Sequence, residues 1–213
     1  MRKAWILIVF LMSALGVRAE TVTIAALGDS LTQGYGLVEE QGFVPQLQRW
    51  LEAQGADVRL INAGVSGDTT AGGAARVAWT LTPEVDAMIV ALGGNDLLRG
   101  IDPAVSRGNI EAILREAAAQ DVDVLLVGME APGNYGADYK AQFDAIYPEL
   151  SQAYGTLYLD SFFAGFGEAA DDPAQLHDVM QGDGIHPNAE GVAQIVEGIG
   201  PKVLDLIAQA GSS

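Results

Sequence analysis

The chain has 213 residues, no cysteine and a formal net charge of −17 at pH 7. This length suits one domain with a full hydrophobic core, and the lack of cysteine excludes disulfides, thiol nucleophiles and thiolate metal sites. The strong negative charge argues against binding to nucleic acid or to an anionic membrane surface.

Residues 1–19 have the composition of a secretory signal peptide. Arg2 and Lys3 form a basic n-region, the apolar stretch that follows is too short for a comfortable membrane span, and Ala19 is the small residue expected before a cleavage point. We therefore expect residues 20–213 to form the mature domain, in the periplasm or outside the cell, with no integral membrane segment. An uncleaved membrane anchor is the alternative.

Strand and helix patterns then alternate along the mature chain. Continuous apolar runs, such as the one at 86–92, are typical of parallel strands buried on both faces. The alternation, with short connections, predicts one parallel sheet with helices on both faces and no second domain. Strands are predicted at 21–27, 57–62, 86–92, 122–129 and 157–159, and helices at 41–54, 71–81, 103–120, 138–154 and 188–210.

Ser30 stands where the first predicted strand ends, in the stretch Gly28-Asp29-Ser30-Leu31. A hydroxyl at the carboxyl end of a parallel strand lies where open α/β sheets place their ligands. A helix that begins there would aim free N–H groups at an incoming oxyanion. Considered alone, Asp29 or Ser30 could equally be a helix cap.

Three later stretches belong to the same predicted edge. The stretches at 66–68 (Ser-Gly-Asp) and 93–96 (Gly-Gly-Asn-Asp) end the second and third strands, so a parallel sheet brings them next to Ser30. The loop at 183–186 (Asp-Gly-Ile-His) precedes the last helix and can fold over that edge. Each stretch alone fits a turn or a cap, but together they favour a catalytic site.

These positions hold the groups that acyl transfer requires. Ser30 is the candidate nucleophile, and His186 is the candidate base, because a neutral imidazole suits proton transfer near pH 7. Asp183 lies three residues earlier, so in a turn its carboxylate can reach the His186 Nδ1–H and fix the tautomer. The candidate oxyanion donors are the N–H groups of Ser30 and Gly67 and the side-chain amide of Asn95.

The predicted substrate-binding residues lie in loops on either side of Ser30. Leu97, Leu98 and Ile101 follow the third strand, and Tyr135 follows the fourth. Apolar side chains are unusual in loops. They form either a wall for an acyl chain or a plug over the top of the core.

With these residues in place, the sequence resembles the SGNH hydrolase family, also called GDSL esterases, over essentially the whole mature chain. It is similar above all to the bacterial periplasmic thioesterase I, lysophospholipase and arylesterase group. The stretches that carry this closer resemblance are Gly-Gly-Asn-Asp-Leu-Leu-Arg-Gly at 93–100, Pro-Gly-Asn-Tyr-Gly at 132–136, Phe-Asp-Ala-Ile-Tyr-Pro at 143–148 and Asp-Gly-Ile-His-Pro-Asn at 183–188.

The resemblance implies a flavodoxin-like three-layer α/β/α sandwich. It also implies hydrolysis of acyl thioesters, lysophospholipids and aryl esters through an acyl-enzyme on Ser30, with no metal and no other cofactor. The expected partner is therefore a small acyl ester or thioester, with no role for nucleic acid, and the expected state is a monomer.

Two other functions are weighed against this one. A deacetylase of acetylated polysaccharide on the same fold would need exposed aromatic residues to stack sugars, and aromatic residues make up only 7% of the chain. A non-catalytic binding module would have no use for a nucleophile, a base, its orienting acid and oxyanion donors together. The second histidine, His177, lies beside Asp178 in a polar stretch, and we expect it on the surface.

Overall fold

The computed structural model describes residues 21–171 and 173–212, without the side chains of residues 168–175. The predicted signal peptide lies outside the described residues. Within them, five parallel strands form one sheet in the order β2-β1-β3-β4-β5, the order of flavodoxin-like sheets. The strands are β1 (Val22–Gly28), β2 (Val58–Gly64), β3 (Ala87–Ala91), β4 (Asp123–Val127) and β5 (Leu157–Leu159).

Helices cover both faces of the sheet, so the predicted three-layer sandwich is confirmed. They are α1 (Ser30–Gln33), α2 (Phe43–Ala53), α3 (Thr70–Thr80), α4 (Gly94–Leu98), α5 (Pro103–Ala119), α6 (Ala137–Asp144), α7 (Ile146–Tyr154), α8 (Pro173–Val179) and α9 (Ala189–Ala210). Short 3-10 helices lie at Glu39–Gln41, Gly133–Tyr135 and Ala164–Asp171. In this described part of the chain, no helix has the length and apolarity needed to cross a bilayer.

The central strand β1 is buried on both sides, as its unbroken apolar run indicates. Ile24 and Ala26 belong to the core beneath α2 and α9, and Ala25 and Leu27 belong to the core beneath α3, α5 and α7. Because successive side chains of a strand point to opposite faces, one strand contributes to both cores. This double burial holds β1, and with it the residues that follow it, at the centre of the sheet.

Two predictions differ from the structure by more than a shift of one or two residues at an end. The predicted helix at 138–154 is two helices, α6 and α7, which meet at Ala145. The break follows from Pro148, which has no N–H to donate to the carbonyl of Asp144 four residues earlier.

The second difference is the predicted loop at 97–101, since Leu97 and Leu98 lie in the short helix α4. The helix begins after Gly93, whose φ of 122° lies in a region that favours glycine, and a Cβ at this position would collide with the Tyr147 hydroxyl. This glycine lets the chain turn sharply from β3 into α4.

A buried carboxylate joins three of these helices. Asp96 in α4 accepts hydrogen bonds from the N–H (2.8 Å) and hydroxyl (2.6 Å) of Thr70 at the start of α3, and from the hydroxyl of Ser106 (2.8 Å) in α5. All three residues are fully buried. Because Asn95 precedes Asp96 in the same helix, this network also fixes the position of Asn95.

We expect Asp96→Ala to destabilise the fold by about 3 kcal/mol or more, because it leaves the buried donors of Thr70 and Ser106 without an acceptor. Thermal unfolding followed by circular dichroism should show a melting temperature lower by about 6–12 °C. The matched control is Asp102→Ala, which removes an exposed carboxylate that caps α5 through one hydrogen bond, to the Ala104 N–H (2.8 Å), and should cost about 1 kcal/mol. Equal losses in both variants would contradict the structural role of Asp96.

Candidate active site

Three strands bring the candidate residues to one edge of the sheet. The last residue of β1, Gly28, pairs with the last residue of β2 and the last residue of β3, so the three carboxyl ends lie level with each other. Ser30 begins α1 directly after β1, Gly67 lies in the turn after β2, and Asn95 lies in α4 after β3. All three residues line one cavity.

His186 connects the loop before α9 to this edge. Its Nε2 lies 2.9 Å from the Ser30 Oγ, and its Nδ1 lies 2.7 Å from Oδ2 of Asp183. The second oxygen of Asp183 accepts the N–H groups of Ile185 (2.9 Å) and His186 (3.0 Å). The structure thus places the three predicted triad residues in one hydrogen-bonded chain. His177, in contrast, has 88% of its side chain exposed.

The charge on Asp183 sets the tautomer of His186. The hydrogen bond from the His186 ring and the two backbone N–H groups hold the pKa of Asp183 well below its usual range. An ionised carboxylate only accepts, so the Nδ1 of His186 carries the proton and Nε2 presents its lone pair to Ser30. This assignment of the proton follows from the hydrogen-bond network. The arrangement suits removal of the Ser30 proton by Nε2.

The candidate oxyanion donors converge next to Ser30. Within the described part of the chain, the N–H groups of Ser30 and Gly67 have no hydrogen-bond partner, so both are free to receive a substrate oxygen. Gly67 has a φ of 84°, in the left-handed region that favours glycine. Asn95 adds a side-chain amide to the same cavity.

Two arginines hold the turn that carries Gly67. Arg76 in α3 donates to the carboxylate of Asp68 (2.7 Å) and to carbonyls near the ends of β1 (2.9 Å) and β2 (2.7 Å). Arg99 donates to the carbonyl of Gly67 itself (2.9 Å). The turn is therefore tied both to the sheet and to the residue that follows α4, and this limits its movement relative to Ser30.

Asp29 is a polar residue of the site that was predicted only as a possible helix cap. It is 2% exposed, and it accepts hydrogen bonds from the N–H of Leu31 (3.0 Å) and from Nδ2 of Asn95 (3.2 Å). Because a carboxylate only accepts, this contact turns the amide nitrogen of Asn95 towards Asp29 and leaves its second N–H for the oxyanion. The only sequence signal was its position next to Ser30.

The cavity beside Ser30 has a volume of about 560 Å³. Its apolar lining comes from loops and short helices that follow the strands and from the loop before α9. It consists of Leu31, Tyr35, Leu97, Leu98, Met129, Pro132, Tyr135, Phe163 and Ile185. The members that were not predicted as substrate-binding residues are Leu31, Tyr35, Met129, Pro132, Phe163 and Ile185. Met129 and Phe163 follow strands β4 and β5, so their position next to strand ends was the available signal.

The predicted substrate-binding residues occupy three different environments. Leu98 and Tyr135 line the cavity and are 60% and 42% exposed, whereas Leu97 lines it but is 7% exposed and packs in the core. Ile101 does not line the cavity, and its carbonyl accepts a hydrogen bond from the Tyr139 hydroxyl (2.8 Å). Leu98 and Tyr135 therefore suit the wall, Leu97 suits both wall and plug, and Ile101 stays a prediction.

No group of three or more histidine, aspartate or glutamate side chains in the described ranges is arranged to hold a metal ion.

Comparison with known proteins agrees with this geometry. Residues 26–194 match the profile of the GDSL-like lipase/acylhydrolase family. The chain belongs to this family. It is 36% identical over 191 residues to the esterase TesA of Pseudomonas aeruginosa, covering 89% of this chain and 92% of that protein.

Two further family members support an ester-hydrolysing enzyme. The Escherichia coli K12 protein named thioesterase 1/protease 1/lysophospholipase L1 is 31% identical over 187 residues, covering 87% of this chain and 85% of that protein. The crystal structure of AlinE4, an SGNH-hydrolase family esterase, superposes with a TM-score of 0.71 at 41% identity, covering 88% of this chain and 97% of that chain. Membership of the GDSL-like lipase/acylhydrolase family thus makes this chain an ester-hydrolysing enzyme.

The stability of the fold should depend on the ionisation of Asp29. Burial raises its pKa from the usual 3.8 to about 6, although the hydrogen bonds from Leu31 and Asn95 offset part of this effect. The folded state therefore holds the Asp29 proton more tightly than the unfolded chain does. The contribution of this group to the free energy of unfolding is fully present below pH 4 and is lost as the pH rises through about 6. The loss amounts to about 3 kcal/mol.

Asp29→Asn removes this ionisation. Any destabilisation from the lost hydrogen bonds of Asp29 is the same at each pH. The melting temperature of the variant minus that of the wild type should therefore become more positive between pH 4 and pH 7. Thermal melts across this range measure the trend. Asp183→Asn is the control, because the pKa of Asp183 is lowered in the folded state. The melting temperature of this variant minus that of the wild type should therefore not become more positive as the pH rises. A flat or falling difference for Asp29→Asn would contradict the raised pKa.

Proposed function

We propose that this enzyme is a serine hydrolase that cleaves carboxylic esters and thioesters through an acyl-enzyme on Ser30. One observation carries the proposal: the hydrogen-bonded chain from the Asp183 carboxylate through His186 to the Ser30 Oγ, with contacts of 2.7 and 2.9 Å. Ser30, at the end of these hydrogen bonds, lines a cavity whose other lining is largely apolar, and this suits an acyl group.

Acylation begins with attack of the Ser30 Oγ on the carbonyl carbon of the substrate. The hydroxyl proton moves to Nε2 of His186, and Asp183 stabilises the imidazolium that results. The C=O electron pair moves onto the substrate oxygen, which receives hydrogen bonds from the N–H groups of Ser30 and Gly67 and from the Asn95 amide. Because these donors are already in position, they stabilise the tetrahedral intermediate without reorganisation.

Collapse of this intermediate breaks the bond to the leaving oxygen or sulfur, which takes the proton from His186 Nε2. A water molecule then attacks the acyl-enzyme, with His186 as base, and releases the acid and free Ser30. Every proton transfer in this scheme uses side chains of this protein, so the scheme needs no metal or other cofactor.

The wall residues suggest which acyl groups are accepted. Leu98 and Tyr135 present exposed apolar surface to the cavity, next to the half-buried Met129 and Phe163. This lining favours acyl thioesters, lysophospholipids and aryl esters over acetylated polysaccharide. The leader-like residues 1–19 favour a periplasmic or secreted enzyme, and the excess of acid gives no surface for nucleic acid. We propose that it acts as a monomer.

The proposed roles of Ser30, His186 and Asp183 predict how far each substitution lowers kcat. Ser30→Ala and His186→Ala should each lower kcat by roughly 10⁴-fold or more, Asp183→Asn somewhat less, and the double variant of Ser30 and His186 little more than either alone, because the residues act as a unit. Steady-state hydrolysis of an acyl ester and an acyl thioester measures this.

His177→Ala is the matched control for His186→Ala and should retain the wild-type rate. A chelator should have no effect on the wild type. The assignment would fail if His177→Ala were inactive while His186→Ala hydrolysed both substrates, and the metal-free scheme would fail if a divalent ion restored activity lost in chelator.

The wall predicts the dependence on acyl length. Each methylene buried against it is worth about 0.8 kcal/mol, or roughly fourfold in kcat/KM, so specificity should rise from acetyl to medium chains and then level off. Leu98→Asp should flatten this rise and spare both acetyl-ester hydrolysis and the melting temperature.

Val105→Asp is the matched control, since Val105 is a similarly exposed apolar residue (52%) that does not line the cavity. If Leu98→Asp lowered the rate equally at every chain length together with the melting temperature, the plug would be the better interpretation. Preference of the wild type for an acetylated oligosaccharide in the same series would favour the deacetylase.

A further inference from the structure

The proton path of the proposed reaction fixes the direction in which the leaving group points. The leaving oxygen or sulfur must come within reach of His186 Nε2, because this nitrogen supplies its proton. The substrate carbonyl oxygen must point instead to Gly67 and Asn95. The alcohol or thiol part of the substrate therefore extends over the His186 side of Ser30, and the acyl part takes the other side.

An aromatic ring occupies the His186 side of the cavity. The ring centroid of Tyr35 lies 4.5 Å from that of His186, with the planes tilted by 36°. Tyr35 lines the same cavity as Ser30, and 51% of its surface is exposed. Ile185, directly before the histidine, also lines the cavity and is 45% exposed.

The backbone of Tyr35 is held on both sides, which fixes the point from which its ring extends. Its N–H donates to the Ser30 carbonyl (3.1 Å), and its carbonyl accepts from the Gln181 amide (2.8 Å). The same Gln181 nitrogen donates to the Pro187 carbonyl (2.9 Å), next to His186. These contacts tie Tyr35 to the nucleophile and to the loop that carries the base.

Several other apolar residues of the cavity come from the far strands of the sheet. Met129 and Tyr135 follow β4 and Phe163 follows β5, and both strands lie beyond β3 in the sheet order when counted from β1. They are therefore available to the acyl chain. No lysine or arginine of the described residues lines the cavity, so the lining offers neither of these cations to pair with an anionic leaving group.

We propose that Tyr35 and Ile185 form a leaving-group subsite that prefers uncharged aryl alcohols and aryl thiols. An aryl ring released from the ester or thioester packs against the exposed part of the Tyr35 ring, and Ile185 closes the subsite beside it. Aromatic pairs prefer centroid separations of about 4.5–7 Å in offset or tilted arrangements, which a planar leaving group can adopt here. The inference rests on the proposed acyl-enzyme mechanism, because His186 sets the direction.

The test compares phenyl acetate with ethyl acetate. Both substrates carry the same acyl group, so the acyl wall contributes equally, and kcat/KM reports acylation, the step in which the leaving group departs. The ratio of the two kcat/KM values in each variant is divided by the ratio in the wild type, which cancels the intrinsic reactivity of the two esters. Phenol is added separately as an inhibitor that mimics the released alcohol.

Tyr35→Ala should lower the phenyl-to-ethyl ratio roughly 5- to 10-fold and weaken inhibition by phenol by a similar factor. Tyr35→Phe should keep the ratio within about twofold, because the ring is what binds, and Ile185→Ala should lower it about threefold. Tyr135→Ala is the matched control, an exposed tyrosine of the same cavity on the acyl side, and its ratio should equal that of the wild type.

Two results would contradict the proposed leaving-group subsite. An equal loss on both esters in Tyr35→Ala, with unchanged phenol inhibition, would mean that Tyr35 only positions His186. A fall of the ratio in Tyr135→Ala but not in Tyr35→Ala would place the leaving group on the other side. Failure of the acyl-enzyme mechanism itself is separate, since phenyl acetate hydrolysis would then survive in Ser30→Ala.

Discussion

The parallel pairing of β1 with β2 on one side and β3 on the other determines where chemistry can occur in this protein. Because the three strands end level with each other, the residues that follow them meet at one edge. Ser30, Gly67 and Asn95 each stand within a few residues of a strand end, and need only short turns to reach the same point. The loop before α9 then has to supply only the candidate base, His186, and its carboxylate partner, Asp183.

The elements with a clear hydrophobic pattern could be predicted from the sequence. A continuous apolar run indicates a buried strand, and apolar residues at helical spacing indicate a helix that packs on the core. The five strands and the long helices α5 and α9 are confirmed for this reason. The split between α6 and α7 was missed although Pro148 marks it, because the periodicity continues across the break. Helix α4 was missed because five residues are too few to display a helical period.

Some residues of the candidate site could also be predicted from the sequence, and others could not. Ser30, Asp183 and His186 could be singled out because a nucleophile, a base and a carboxylate at loop positions are chemically distinctive. Tyr35, Met129 and Phe163 were not singled out, because contact with a cavity depends on which loops approach each other across the sheet. The orienting role of Asp29 also needed the fold, since it depends on burial and on the amide of Asn95 lying within hydrogen-bond reach.

The central claim is that Ser30 is the nucleophile, and covalent labelling tests it most directly. The wild-type protein is treated with an alkyl fluorophosphonate, and the adduct is located by mass spectrometry of its peptides. We expect one adduct, on the peptide that contains Ser30, with labelling absent in Ser30→Ala and strongly slowed in His186→Ala. An adduct on another residue, formed at the same rate in Ser30→Ala, would contradict the claim.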